Sequence, residues 1–397
     1  MSRPRIPGFP AARVVDALEV EELAPGRKHQ LFVEAISDGL GRPMHIPVLV
    51  ARGAKPGPVF GLTAAIHGNE LNGIPVLHRL FETLDTKTLR GTVVGVLVLN
   101  IPGFLQHQRE FNDGRDLNHR MPGRADGAIG PVYAHRFFDR IVRRFDFLVD
   151  LHTASFGRVN SLYIRSDMMH PVASQMAYLF RPQIILHNPA SDRTLRGAAM
   201  DAGIPAITVE IADPQRFQPK YIRWSLTGIR AILAEHGLIS RKVTGLGPAP
   251  ILCESSHWIY TDEGGLLEVL PGVTDRVKDG QVLARLMNIF GELTREYRAP
   301  HDGVIIGKSV NPVGQTGARI VHLGFEAEAG LLLGRKPPKK KKKKKAARSK
   351  PRSGSAPRPK PASKPELKRP SPSDNASDDA SDSEPGRDDA GEADKGA

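Results

Sequence analysis

The amino-acid sequence predicts an α/β fold, with a mixed and largely parallel sheet flanked by helices, followed by a small all-β domain and a disordered tail. Three observations carry that expectation. Short apolar runs with β-branched residues alternate with helix-period segments between residues 58 and 211. Beyond residue 245 Gly and Pro recur every few positions among short β runs. From residue 334 to the end large apolar side chains almost vanish, and such a stretch cannot offset the entropy of its own ordering.

Four segments read as buried strands, 58–66, 92–99, 145–151 and 206–211, each a short apolar run bounded by turn residues. Between them, 71–84 sets Ile74, Leu77, Leu80, Phe81 and Leu84 on one helical face, and 132–144 is a second helical pattern. Buried strands alternating with helices imply parallel pairing, and such sheets bind ligands beyond the carboxyl ends of their strands. The expected division is N-terminal strands and an extension over 1–45, the α/β domain over 46–245, the β domain over 246–333 and the tail over 334–397.

Within the β region, 273–286 and the Ala-Pro-His-Asp-Gly-Val stretch from Ala299 resemble the barrel-sandwich of biotinyl and lipoyl carriers. No carrier lysine between methionines stands at a hairpin tip, so no such attachment is expected. A structural lid or interface is the plainer reading.

The net charge of +13 belongs mostly to the tail. Residues 335–397 hold 19 Lys and Arg against 10 Asp and Glu, a net of +9, which leaves +4 for the rest. A polyanion partner is therefore argued from the tail alone, through the seven consecutive lysines from Lys339 to Lys345; the other reading is a solvated tail. The single cysteine, Cys253, excludes an intrachain disulfide and a multi-thiolate metal site. The N-terminus lacks the apolar stretch of a signal peptide, and no apolar run is long enough to span a membrane. A cytoplasmic protein is expected, with homo-oligomerisation left open.

The chemistry lies at the strand ends. The first strand runs into His67-Gly-Asn-Glu70 just before a helix, so an imidazole and a carboxylate leave one corner. By itself this reads as a polar turn. The third strand ends Asp150-Leu-His152, bringing a second histidine to the same sheet edge. Two histidines and one carboxylate leave a fourth tetrahedral position for water, the pattern of catalytic rather than structural zinc. Asp150 is a candidate to orient His152 rather than to ligate. The fourth strand carries Glu210 among apolar neighbours, where a carboxylate needs a partner or a function. A structural ion pair is one reading; a general base that takes a proton from water and returns it to a leaving amine is the other. Between the strands, Asn100 to Gly123 is too polar for a core element and follows a strand at the active edge. Its arginines, Arg109, Arg115 and Arg120, are candidates to stabilise an oxyanion or grip a carboxylate, with surface solubility the alternative for any one of them.

These pieces together resemble the succinylglutamate desuccinylase and aspartoacylase family of the zinc carboxypeptidase clan, over roughly residues 40–330. They are His67-Gly-Asn-Glu70-Leu-Asn-Gly, the 100–109 stretch, Asp116-Leu-Asn118, Asp150-Leu-His152 and Thr208-Val-Glu210. The resemblance implies a carboxypeptidase-like domain with a small β domain near the site mouth. It also implies one zinc held by His67, Glu70 and His152, and hydrolysis of the amide of an N-acyl amino acid with Glu210 as base. By position, Arg109 matches the arginine that polarises the carbonyl and Asn118 the asparagine that helps hold the substrate carboxylate. One departure stands out: the family's Asp-Leu-Asn-Arg reads Asp116-Leu-Asn118-His119 here. Histidine is only partly charged at neutral pH and makes no bidentate fork, so the acyl group and amino acid are not assigned. Arg115 and Arg120 are the candidates to compensate. The alternatives are a carboxypeptidase trimming peptides or acidic tails and, in another class, a zinc-binding scaffold whose lysine tail docks on nucleic acid.

Overall fold

The structure, a computed structural model, describes residues 12–190, 193–240 and 243–327. The expected tail, with its lysine run, lies outside the described residues. In chain order come β1 (Ala12–Val15), β2 (Arg27–Ser37), β3 (Pro43–Arg52), β4 (Lys55–Ala64), α1 (Gly73–Thr83), β5 (Arg90–Val96), α2 (Ile101–Gln106) and α3 (Ile129–Arg140). Next are β6 (Phe147–His152), β7 (Arg158–Asn160), β8 (Leu162–Ser166), α4 (Pro171–Phe180), β9 (Ile184–His187), α5 (Leu195–Asp201), β10 (Ala206–Ile211) and α6 (Pro219–Glu235). The chain then turns all-β: β11 (Ile251–Tyr260), β12 (Gly265–Val269), β13 (Arg276–Val277), β14 (Val282–Met287), β15 (Leu293–Arg298), β16 (Gly303–Ser309), β17 (Val313–Gly314) and β18 (Arg319–Glu326).

One 14-stranded mixed sheet runs through the molecule in the order β1-β2-β3-β5-β4-β6-β10-β8-β9-β11-β18-β16-β13, with β7 paired to β16. Its centre, β5-β4-β6-β10, is parallel, as the buried apolar runs predict. Strand alternation sends successive side chains to two cores: Leu148 joins the one under α3 and α5, while Val149 joins the one under α1, α4 and α6. The N-terminal strands extend the sheet at one edge. At the other, β11 pairs parallel with β9, so the C-terminal β elements continue the same sheet. A second antiparallel sheet, β15-β14-β12-β17, shares a core with the end of the large sheet, Leu267, Leu283 and Leu286 packing in one cluster with Ile305 and Leu323. No helix among the described residues is long and apolar enough to cross a membrane.

The expected first strand, 58–66, ends two residues early. Ala65 adopts φ 53 and turns the chain sharply out of β4, which carries the His67 corner across the sheet edge. The N-terminal turn of α2 packs on that corner so closely that a β-carbon on Gly68 would overlap the Gly103 backbone.

Candidate active site

The corner after β4, the last residue of β6 and the penultimate residue of β10 meet at the carboxyl edge of the parallel strands. His67, Glu70 and His152 are all buried, and one ligating atom from each lies within 4.8 Å of the others. His67 Nδ1 is 2.9 Å from Glu70 Oε1, and His152 Nδ1 is 3.1 Å from Glu70 Oε2. Each ring turns its Nε2 to another carboxylate, His67 to Asp116 at 3.2 Å and His152 to Asp150 at 2.7 Å. With Nε2–H donating there, both Nδ1 atoms are left on the Glu70 side, the arrangement outer carboxylates impose on metal-binding histidines. Asp150 is itself fixed, accepting from Thr63 Oγ1 at 2.6 Å.

Electrostatics follow from this packing. Burial alone would lower the His152 pKa, but the carboxylates of Asp150 and Glu70 outweigh it and hold the ring well above the usual histidine range. For His67 burial and Arg109 pull down, and Glu70 with Asp116 prevails, raising it. Burial pushes Glu70 up, yet the two histidines hold it well below the ordinary carboxylate value. Asp116 behaves likewise under His67 and Arg109.

Arg109 is set by the loop after β5. Asn100 caps α2, accepting from Gly103 N at 2.9 Å, and its amide donates to the carbonyls of Arg109 and Glu110 at 3.3 and 3.1 Å. The guanidinium grips Asp116 through Nε and Nη2, while Nη1 donates to Glu70 Oε1 at 3.1 Å and to Ser155 Oγ. Nη1 also lies 3.2 Å from His67 Nδ1, so this positive charge falls on the atoms a metal would take. Ser155 Oγ donates to Glu70 Oε1 at 3.0 Å and Thr153 N to Glu70 Oε2 at 3.0 Å, completing the cradle around that carboxylate.

Glu210 sits directly beside His152 in parallel register. Its Oε2 accepts from Asn160 Nδ2 at 3.3 Å, and Arg165 Nε stands 3.9 Å from Oε1. A cavity of about 400 Å³ opens over this group, lined also by Arg109, Asn118 and His119. Asn118 is buried, its side chain accepting from Leu195 N at 2.8 Å, whereas His119 Nε2 is buried with no hydrogen-bond partner among the described residues. Arg115 and Arg120 do not line the cavity. Leu117 is anchored in the core and Asn118 N donates to Asp116 Oδ1, so the turn shows only Asn118 and His119 to the site and leaves Arg115 exposed. The cavity's other cations are Arg158, Arg165 and Arg196, from β7, β8 and α5, none of them singled out by the sequence. Its far wall comes from the C-terminal β elements, with Trp258 stacked on His322 at 4.9 Å and the Arg158 guanidinium 5.8 Å from the Trp258 ring centre.

Residues 56–236 match the model of the succinylglutamate desuccinylase/aspartoacylase catalytic domain. The chain is 27% identical over 276 residues to N-alpha-acetyl-L-2,4-diaminobutyric acid deacetylase of Halomonas elongata, covering 66% of this chain and 80% of the relative. The fold is shared with the product-bound ectoine utilization protein EutE (DoeB) of Ruegeria pomeroyi at TM-score 0.69 and 21% identity, over 75% of this chain and 95% of that one. It is shared as well with a succinylglutamate desuccinylase/aspartoacylase from Rhodobacter sphaeroides, at TM-score 0.67 and 20% identity, over 77% and 98%. The stretch that resembles this catalytic domain is the one that carries the buried His67, Glu70 and His152 group, with Arg109 against it and Glu210 in register beside His152.

Proposed function

We propose that this chain is a zinc-dependent hydrolase that cleaves the linear amide of an N-acyl amino acid. The observation that carries the reading is the buried His67–Glu70–His152 group with Glu210 in register beside it. Two imidazole nitrogens and one carboxylate, each braced from behind, suit a catalytic zinc that keeps one position open. When bound, the metal lowers the pKa of water and polarises the scissile carbonyl. Glu210 takes the proton of the attacking water and delivers it to the leaving amine. Arg109, held by Asp116, stabilises the negative charge that develops on the carbonyl oxygen. Asn118 and His119 contact the amino-acid portion, and the buried His119 Nε2, with no partner among the described residues, supplies a hydrogen-bonding atom where the family has arginine. The deacetylase relative supports an acyl amino acid over a peptide, and the cations Arg158, Arg165 and Arg196 suit an anionic substrate.

The test is metal content and turnover of an N-acyl amino acid panel, with short peptides as a second arm, for wild type and Glu210→Gln. One zinc per chain in both proteins, with turnover of acyl amino acids by wild type alone, is expected. Metal-free wild type, or equal rates for both proteins, overturns the reading.

A further inference from the structure

We infer that Asn160 is a positioning residue for Glu210 and that Gly307, in the C-terminal β region, holds Asn160 in place. This rests on the reading of Glu210 as the base. Asn160 ends β7 and is buried, with its amide donating to Glu210 Oε2 at 3.3 Å while Arg165 stands at the other oxygen. A donor on one oxygen and a cation by the other fix the plane of the carboxylate, which a base needs if it is to meet water in one geometry.

The amide is held from the other side by β16. Gly307 is the register partner of Asn160, and a β-carbon there would overlap Asn160 Oδ1 and press on the Val159 carbonyl at 3.1 Å. Its backbone is not left-handed, so glycine is required for space rather than conformation. Flanking bonds stitch the two segments together. Ser161 N and Oγ donate to the Ile306 carbonyl at 2.9 and 3.0 Å, and Val310 N donates to the Gly157 carbonyl at 2.8 Å. The same segment begins with Thr153 and Ser155, which hold Glu70. The β7–β16 pairing thus sets the position of the base, and the β region is a working part of the site rather than a cover over it.

The experiment measures kcat, KM and bound zinc for Asn160→Ala, Gly307→Ala and the double variant, with Glu210→Gln alongside, on the N-acyl amino acid that wild type cleaves best. Each single variant is expected to lower kcat by roughly 10- to 100-fold, the scale of a misplaced catalytic group, with KM and zinc content unchanged. The double variant is expected to be about as slow as Asn160→Ala, because the amide that the methyl would displace is gone and only the looser 3.1 Å approach to the Val159 carbonyl remains. A double variant slowed by the product of the two single effects overturns the inference, since a general loss of packing would add in that way. If Gly307→Ala does not fold, Asn160→Ala decides alone: a kcat equal to wild type overturns the inference, and a reduced kcat with unchanged KM and zinc supports it. Wild-type turnover by Glu210→Gln overturns the base reading and this inference with it. A slow Glu210→Gln beside a fast Asn160→Ala overturns only the latter.

Discussion

Replacing Asp150 by Asn tests how the metal site is braced. Asp150 is 1% exposed, with one oxygen 2.7 Å from His152 Nε2 and the other accepting from Thr63. Asparagine keeps the size and can still accept from the ring, so the change removes charge more than shape. Loss of a carboxylate behind a ligating histidine costs about 10- to 100-fold in metal affinity, or about 1.4–2.7 kcal/mol. A second effect opposes it. Burial lowers the His152 pKa, but Asp150 is the largest influence raising it, so in the metal-free wild type a proton competes for the ring. Asparagine lowers that pKa and relieves the competition. The affinity deficit is therefore largest at high pH, where protons no longer compete, and shrinks as pH falls. Chelator competition for zinc is followed upward from about pH 6, the ordinary histidine region, because His152 is raised above it. Equal affinities throughout, or a deficit that shrinks as pH rises, would refute the reasoning.

Three further outcomes are expected. His67 and His152 are both raised, so the metal-free protein carries protons that metal must displace; titration in weak buffer should release them, and affinity should rise with pH. Ser155→Ala removes the hydroxyl shared by Glu70 and Arg109, and chelator competition should show zinc affinity lower by about tenfold. Gly68→Ala drives a methyl into the Gly103 backbone and should destabilise the fold by about 1–3 kcal/mol in denaturant titration, whereas an unchanged midpoint would contradict the close approach of α2.

The central strands were legible because burial on both faces leaves continuous apolar runs: 206–211 matches β10, and 145–151 falls within two residues of β6. Two residues of the candidate site were legible for a related reason. A polar residue at the end of such a run has no structural excuse, and His152 and Glu210 both stand there. The far side of the cavity was not. Leu162-Tyr-Ile-Arg165-Ser is short and alternating, so Arg165 reads as the outer face of an edge strand until its pairing with β10 shows otherwise. Arg196 lies in a seven-residue helix too short for a periodicity argument, and it is 1% exposed. Asn160 gains its meaning only from β16, nearly 150 residues away in sequence, and no local pattern announces so distant a pairing. Arg115 and Arg120 stand outside the cavity lining for the opposite reason. They sit next to the right residues, but a tight turn faces its neighbours different ways.

The two left-handed alanines, Ala65 at φ 53 and Ala212 at φ 56, follow the strands that deliver His67 and Glu210. Each sets a β-carbon in a backbone region that costs about 1–2 kcal/mol outside glycine. Glycine would remove that cost in the folded chain while giving the unfolded chain more freedom to lose. The strain is the larger of the two, so a library selected for thermal stability would move toward glycine at both corners. Selection for turnover would see them differently, because a β-carbon narrows the conformations open to the very joints on which the proposed ligand and the proposed base are mounted.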